Sequence, residues 1–332
     1  MSTRVRAVAA GITLVLVAAL SGCGGNLGDD GSDAAGSYPE RAVTLFVGQD
    51  AGGSTDLIAR ALADEVSEDL GKPVTVVNRP GANGGVAAKQ LAAAKPDGYT
   101  VMIFVGSLAY ITPLAVAPEE AVDITQYEVI TGISQDDFVL VAHPKTGFTT
   151  VKDIQDAKRP IKYATTGVGT GSQLTQALLF AQSKVQATAV PFDGGAPALA
   201  AVLGGQVDVA SIQLGEAQPQ IKAGKLTPLV TFAAKRPAYL PDSPTAVEAG
   251  FNVPVQQSRA IVAPDGTPQE VIDRLRNAFA KAFESEKYQA FNAERLLTPN
   301  EVEGPTLLEQ WTKARETYRG LVEQYKIDLG GE

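Results

Sequence analysis

The chain has 332 residues, with 28 basic and 37 acidic side chains, a formal charge of −9 with its one histidine neutral, and only 6% aromatic residues. That charge argues against a nucleic-acid-binding or polybasic membrane-surface role. One histidine and one cysteine supply too few ligands for a zinc site, and so few aromatics leave little for stacking sugars or bases.

At the N-terminus, Arg4 and Arg6 precede an apolar run from Ala7 to Leu20. This pattern predicts a signal peptide over residues 1–22, because 14 residues fall short of the roughly 20 that a spanning helix needs. The stretch Leu20-Ser21-Gly22-Cys23 resembles a bacterial lipobox, in which the cysteine is lipidated and becomes the new N-terminus. The alternative is a free thiol beside an ordinary cleavage site. Cys23 is the only cysteine, so no disulfide competes for it. Two or more acyl chains would anchor the protein stably. Residues 23–37 read as a flexible Gly/Ser/Asp tether with a root-mean-square reach of roughly 20 Å. Removing residues 1–22 takes away two arginines and no acid, so the mature charge becomes −11. The remainder is long enough for two domains.

From Tyr38 onward short β-branched strands alternate with helices, which predicts parallel α/β architecture. "VTLFV" (43–47) is a strand, and the helix after it places Leu57, Ile58, Ala61, Leu62 and Val66 on one face before Gly71 and Pro73 stop it. Strands follow at 74–77 and 101–105, with the Gly-rich turn "NRPGANGG" and an Ala-rich helix between them. A second block begins near "FVLVAH" (138–143). It continues through the strand "IKYAT" (161–165), the loop "TGVGTGS", a helix to Ser183, the strand region 185–192 and the loop and helix of "DGGAPALAAVLGG". Strands "VDVASI" (207–212) and "LTPLVTF" (226–232) complete its sheet. A strand, a long helix and a mostly helical tail then return to the first block. This organisation predicts two α/β lobes with a cleft between them.

Ligands of open α/β sheets sit beyond the carboxyl ends of the strands. Three Gly-rich loops occupy that position here: "AGGSTD", "GVGTGS" and "DGGAP". Bare backbone N–H groups at a helix start form an anion site, so two lobes could grip one small anion. The alternative for each loop is a tight turn chosen for its backbone conformation. Enzyme readings find little support. His143 sits beside a proline at a strand end, no G-x-S-x-G elbow surrounds Ser54, Ser107 or Ser172, and no Walker A pattern occurs. Asp56 and Arg60 stand at i and i+4, close enough to pair and to brace the preceding loop, with direct ligand contact as the other possibility. Arg79 reads as a bracing charge.

The stretch from "YPERAVTLFVGQDAGGSTDLIARAL" through "NRPGA" and "PDGYT" resembles the extracytoplasmic solute receptors of tripartite tricarboxylate transporters, the TctC or Bug family. The likeness runs on through "GVGTGS", "AVPFDGGAPALAAVLGGQVD" and "LPDSPTAVEAGF". The resemblance implies an α/β, periplasmic-binding-protein-like (type II-like) fold whose lobes close on a small carboxylate held largely by backbone N–H groups, hydroxyls and water. Carried over by position, it implies first-lobe contacts at Gly52, Gly53, Ser54 and Ser107. Those of the second lobe fall at Thr170, Gly171, Ser172, Asp193, Gly194 and Gly195, with Asp56 and Arg60 as structural support. Two positions depart from the family pattern: Gln173 stands where a His is frequent, and Asp193 stands where "PYKGG" would place a Lys. Asp193 adds an acceptor near the pocket, which predicts a solute whose far end is less anionic or carries a donor.

The expectation is therefore a receptor with one lobe from 38–135 plus 256–332 and the other from 136–255. It would be anchored outside the cytoplasm by a lipid on Cys23 and would deliver a di- or tricarboxylate or related acid to a tripartite-type membrane permease. No catalytic residue, metal, cofactor or nucleic acid is expected, and a monomer is the simplest state. A sensor serving a signalling partner, an exported enzyme on the same scaffold and an adhesin are the alternatives.

Overall fold

The computed structural model describes residues 38–330. The signal peptide expected over 1–22, the lipidation site Cys23 and the tether over 23–37 lie outside the described residues. In chain order the first elements are β1 (Val43–Val47), α1 (Ser54–Leu70), β2 (Val74–Asn78), α2 (Gly85–Ala92), β3 (Thr100–Val105), α3 (Ser107–Tyr110) and β4 (Tyr127–Asp136). The middle of the chain forms β5 (Phe138–Ala142), α4 (Val151–Asp156), β6 (Ile161–Thr165), α5 (Gly171–Ser183), β7 (Ala187–Pro191), α6 (Gly195–Leu203), β8 (Val209–Gln213), α7 (Leu214–Lys222) and β9 (Thr227–Thr231). The last elements are β10 (Gln257–Pro264), α8 (Gln269–Glu284), α9 (Glu286–Arg295) and α10 (Gly304–Tyr325).

The strands form two five-stranded sheets, ordered β2-β1-β3-β10-β4 and β7-β6-β8-β5-β9. The expected parallel pattern holds where β1 joins β2 and β3, and where β6 joins β7 and β8. It fails at the crossings: β10 runs antiparallel to β3 and β4, and β5 runs antiparallel to β8 and β9. Each sheet is therefore mixed, because a strand that has just arrived from the other sheet enters against the local direction. Only Asp137 separates β4 from β5. The returning segment lies beside it: Gln256 donates through Nε2 to Asp137 Oδ1 at 2.8 Å and accepts from Gln135 Nε2 at 2.6 Å.

Strand β4 carries no clear alternation in the sequence, since Gly132 and the polar Ser134-Gln135-Asp136 interrupt it. Its geometry explains Gly132. A Cβ there would run into the Asn300 carbonyl, because residues 298–302 cover the outer edge of β4 through bonds such as Gly132 N–H to Val302 O at 2.8 Å. An edge closed in this way offers no template for a further strand.

One face of the first sheet is covered by α1 and α8, where Ile58, Leu62 and Val66 meet Leu275 and Phe279. Its other face is covered by α2, α3 and α10, with the Phe104 and Trp311 rings stacked at 5.7 Å. Burying each such side chain stabilises the fold by about 1.5–3 kcal/mol. Helix α10 also reaches the crossing segments. Trp311 Nε1 donates to Ser258 Oγ at 2.8 Å, and Tyr318 OH donates to Pro254 O at 3.1 Å. The sheets thus turn the carboxyl ends of β1, β3, β6, β7 and β8, and the helices that follow them, toward one shared cleft.

Candidate functional site

The cleft is built around two helix starts. Helix α1 begins at Ser54 after the Gly52-Gly53 turn, and α6 begins at Gly195 after Gly194. Neither start is capped by a side chain of its own cap residue, so the first N–H groups remain available to another acceptor. That acceptor is Glu216, in the first turn of α7, whose carboxylate takes the Ser54 N–H bond across the cleft. Gly195 is required by this approach, because a Cβ on it would overlap the same carboxylate. Burial pushes the Glu216 carboxyl above its ordinary range, while the bonds from Ser54 and the positive charges of Arg259 and Arg295 pull it back.

The floor of the cleft is held by Arg259. It is 2% exposed on β10, opposite Val105 and Ser134 in register. Its guanidinium pairs with Asp136 through Nη1, and donates to Thr55 Oγ1 at 3.1 Å, Ser54 Oγ at 2.6 Å and Gln213 Oε1 at 2.9 Å. Asp136 also accepts from Ser134 Oγ at 2.6 Å and from Thr298 N–H at 2.9 Å. Arg259 therefore orients side chains from both sheets rather than standing free.

Further contacts span the cleft. Asn83 Nδ2, which also meets Ser107 Oγ at 3.0 Å and Thr112 Oγ1 at 3.2 Å on its own lobe, donates to Gly169 O at 3.4 Å, and Thr112 Oγ1 donates to the same oxygen at 3.0 Å. The Asp50 N–H meets Asp193 O at 3.3 Å. The lobes are thus drawn together, and the space left between them is small, about 40 Å³, so a solute larger than a water or two must part them. Gln213 lines it with Nε2 unpartnered, and Gln49 lines it with Oε1 unpartnered. One side offers the Phe138 and Val105 surfaces.

Of the residues singled out in the sequence, Gly53, Ser54, Gly194 and Gly195 line this cavity together. Asp193 lines a neighbouring part of the cleft with Phe192, Val168, Leu108 and Glu120. Gly52 lies outside the main cavity, giving its N–H to Asp56 Oδ2 at 2.9 Å. Ser107 is buried and engaged by Asn83. Thr170 caps α5 through Gln173 N–H, Gly171 abuts the Phe138 ring, and Ser172 donates to Ser211 O at 2.7 Å. These three hold α5 in place behind the cavity wall. Gln173 ties the loop to the tail, accepting from Gly169 N–H at 2.7 Å and donating to Leu329 O at 3.0 Å.

Asp56 and Arg60 form a two-pronged pair, Nε to Oδ2 at 3.0 Å and Nη2 to Oδ1 at 2.9 Å, and Asn78 Nδ2 adds a bond to Asp56 at 3.0 Å. Burial would raise the Asp56 carboxyl, but the bonds from Arg60, Gly52 and Asn78 outweigh it and hold the group below its usual range. The pair braces the β1–α1 turn from outside the cavity. Arg79 is exposed with its guanidinium over the Phe46 ring, and His143 accepts from Lys145 N–H at a short turn. Sequence reasoning did not single out Glu216, Arg259, Gln213, Gln49 or Asn83. The signal for Arg259 was present as one charge inside the apolar strand "SRAIVAP".

The model of the tripartite tricarboxylate transporter family receptor, TctC, matches residues 58–310. A Cupriavidus necator protein described as the UPF0065 protein in the gbd 5′ region is 34% identical over 262 residues, covering 77% of this chain and 78% of the relative. Among solved structures, periplasmic binding protein BugD superposes with a TM-score of 0.82 at 27% identity, covering 88% of this chain and 99% of its own. Rpa4515 of R. palustris, solved with adipate, superposes with a TM-score of 0.83 at 27% identity over the same shares.

Proposed function

The chain belongs to the tripartite tricarboxylate transporter receptor family, and from that premise we propose that it is an extracytoplasmic solute receptor that closes its two lobes on a small organic carboxylate. The observation that carries this reading is the convergence of two uncapped helix starts, at Ser54 and Gly195, on one carboxylate-sized position. Backbone N–H groups and helix dipoles at such a point favour an anion without a basic side chain. A second carboxylate on the solute would accept from Gln213 Nε2, the unpartnered donor of the same cavity, while a solute hydroxyl would donate to the unpartnered Gln49 Oε1. Adipate in the related R. palustris protein supports a linear dicarboxylate as the first candidate class.

In this reading residues 38–135 with 256–332 form one lobe and 136–255 the other, hinged where Asp137 and Gln256 lie side by side. Solute contacts from both lobes stabilise the closed form. A lipid on Cys23 would hold the receptor at the membrane, and a tripartite-type permease would receive the solute. The protein's contribution is binding and release; no covalent step is involved.

A thermal-shift screen against mono-, di- and tricarboxylates, amino acids and aromatic acids tests this. An acid at about a hundred times its Kd adds roughly 2.7 kcal/mol of stability. A shift confined to one acid class supports the proposal, and none from any carboxylate, on protein stripped of retained solute, contradicts it.

A further inference from the structure

The position that the helix starts would offer to an incoming anion is already filled by one. Glu216 comes from α7, beyond the end of β8 in the second sheet, and its carboxylate bonds to Ser54 N–H at the start of α1 on the first. The same carboxylate lies against Gly195, where α6 begins. Glu216 is thus a clasp between lobes made through the groups that would otherwise grip a solute. The other carboxylate at the cleft floor, Asp136, is committed to Arg259, Ser134 and Thr298.

Two independent features mark a further contact for a solute and a partner for Glu216 once it is displaced. Gln213, 4% exposed, lines the cavity with an unpartnered Nε2. On the far side, Glu216 and Arg295 line a second, tightly packed pocket walled by Leu57 and Phe291, and Arg295 Nε there is buried without a partner.

We propose that Glu216 is the resident occupant of the receptor's carboxylate subsite, closing the cleft when no solute is present and yielding to a solute carboxylate by turning toward Arg295. The proposal rests on the receptor reading above. It makes Glu216 a specificity determinant. A tethered carboxylate competes at an effective concentration in the millimolar range or above, and it lowers every acid's apparent affinity by the fraction of time it holds the site. A solute with one carboxylate and nothing else loses that contest. A longer acid whose second end accepts from Gln213 Nε2 wins it.

The test is hydrogen exchange read by mass spectrometry on the full chain, comparing wild type with Glu216→Ala and with Glu216→Gln, which keeps the shape and removes the charge. The probe is acetate, the free equivalent of the missing group. Expected is exchange about tenfold faster in peptides spanning 49–57 and 193–199 of Glu216→Ala, as befits loss of a charge-assisted bond across the cleft. Millimolar acetate should restore their protection and should leave wild type unchanged. Unaltered exchange in the β5–β8 core would certify that the variant is folded, and Glu216→Gln should fall between the two forms.

Equal protection of those peptides in wild type and Glu216→Ala would overturn the proposal. So would faster exchange that acetate does not reverse. Adipate titrated into the same proteins separates this outcome from failure of the receptor reading: an acid-binding receptor with a mistaken role for Glu216 still binds adipate, with no gain in Glu216→Ala.

Discussion

Arg259 and Asp136 form a buried ion pair on adjacent strands, β10 and β4, at the point where the chain leaves the first sheet for the second. Arg259 and Asp136 are 2% and 1% exposed. Their partners Ser54, Thr55, Ser134, Gln213 and Thr298 turn the pair into the framework on which the cleft is assembled.

Breaking this pair on one side leaves an uncompensated buried charge. Arg259→Leu or Asp136→Ala should each destabilise the protein by about 3–5 kcal/mol in chemical denaturation, and the double replacement should recover a large part of that loss. Arg259→Lys should not substitute, because one ammonium lacks the planar fork that serves four acceptors here. A loss below about 1 kcal/mol in either single variant, the range of an exposed pair, would contradict the framework role.

Asp56 predicts a pH dependence. Its folded carboxyl lies below the ordinary aspartate range, held there by Arg60, Gly52 and Asn78 against the opposing effect of burial. The unfolded state therefore binds the proton first as pH falls. The Asp56 contribution is fully present above the unfolded value near 4 and is lost as pH drops through the folded value. Asp56→Asn should cost about 2 kcal/mol at neutral pH, with wild type and variant converging once the pH falls through the folded Asp56 value. A difference that stays constant from pH 7 to pH 2 would sink this assignment.

Gly195→Ala places a methyl group where the Glu216 carboxylate now lies. The obstructed atoms are the end of a flexible side chain, so the fold should tolerate the change at a cost under about 1.5 kcal/mol, while organic-acid binding should fall at least about tenfold. Calorimetric titration read beside a melting curve separates the two effects. Undiminished binding would remove Gly195 from the site.

Asp193 lines the outer part of the cleft beside Phe192 and Val168. Asp193→Lys replaces a negative charge by a positive one there, and should favour citrate over adipate by a factor of about ten relative to wild type, as expected for charges a few ångströms apart in a partly solvated site. An unchanged ratio would show that the solute's far end does not reach Asp193.

Much of this architecture was legible from strand and helix periodicity. The strand 43–47, the helix that Gly71 stops and the strand 161–165 stand where their patterns place them. What escaped had physical reasons. Strand β4 breaks its alternation at Gly132, which is there to admit the Asn300 carbonyl. The antiparallel entries of β5 and β10 arise from sheet crossings, a property of topology that local propensity does not encode. The Gly-rich turns suggested an anion site, but the charged groups that meet Ser54 there, Glu216 and Arg259, lie 162 and 205 positions away. No local spacing signals groups that only the folding of two sheets brings together. Thr170, Gly171 and Ser172, carried over by position, face the packing of α5 and do not line the cavity.

The most direct measurement is a crystal structure of the protein with the acid that gives the largest thermal shift. The account predicts one carboxylate of that acid within hydrogen-bond distance of the Ser54 and Gly195 N–H groups, with Glu216 turned toward Arg295. An acid bound elsewhere, with Glu216 still bonded to Ser54, would contradict it.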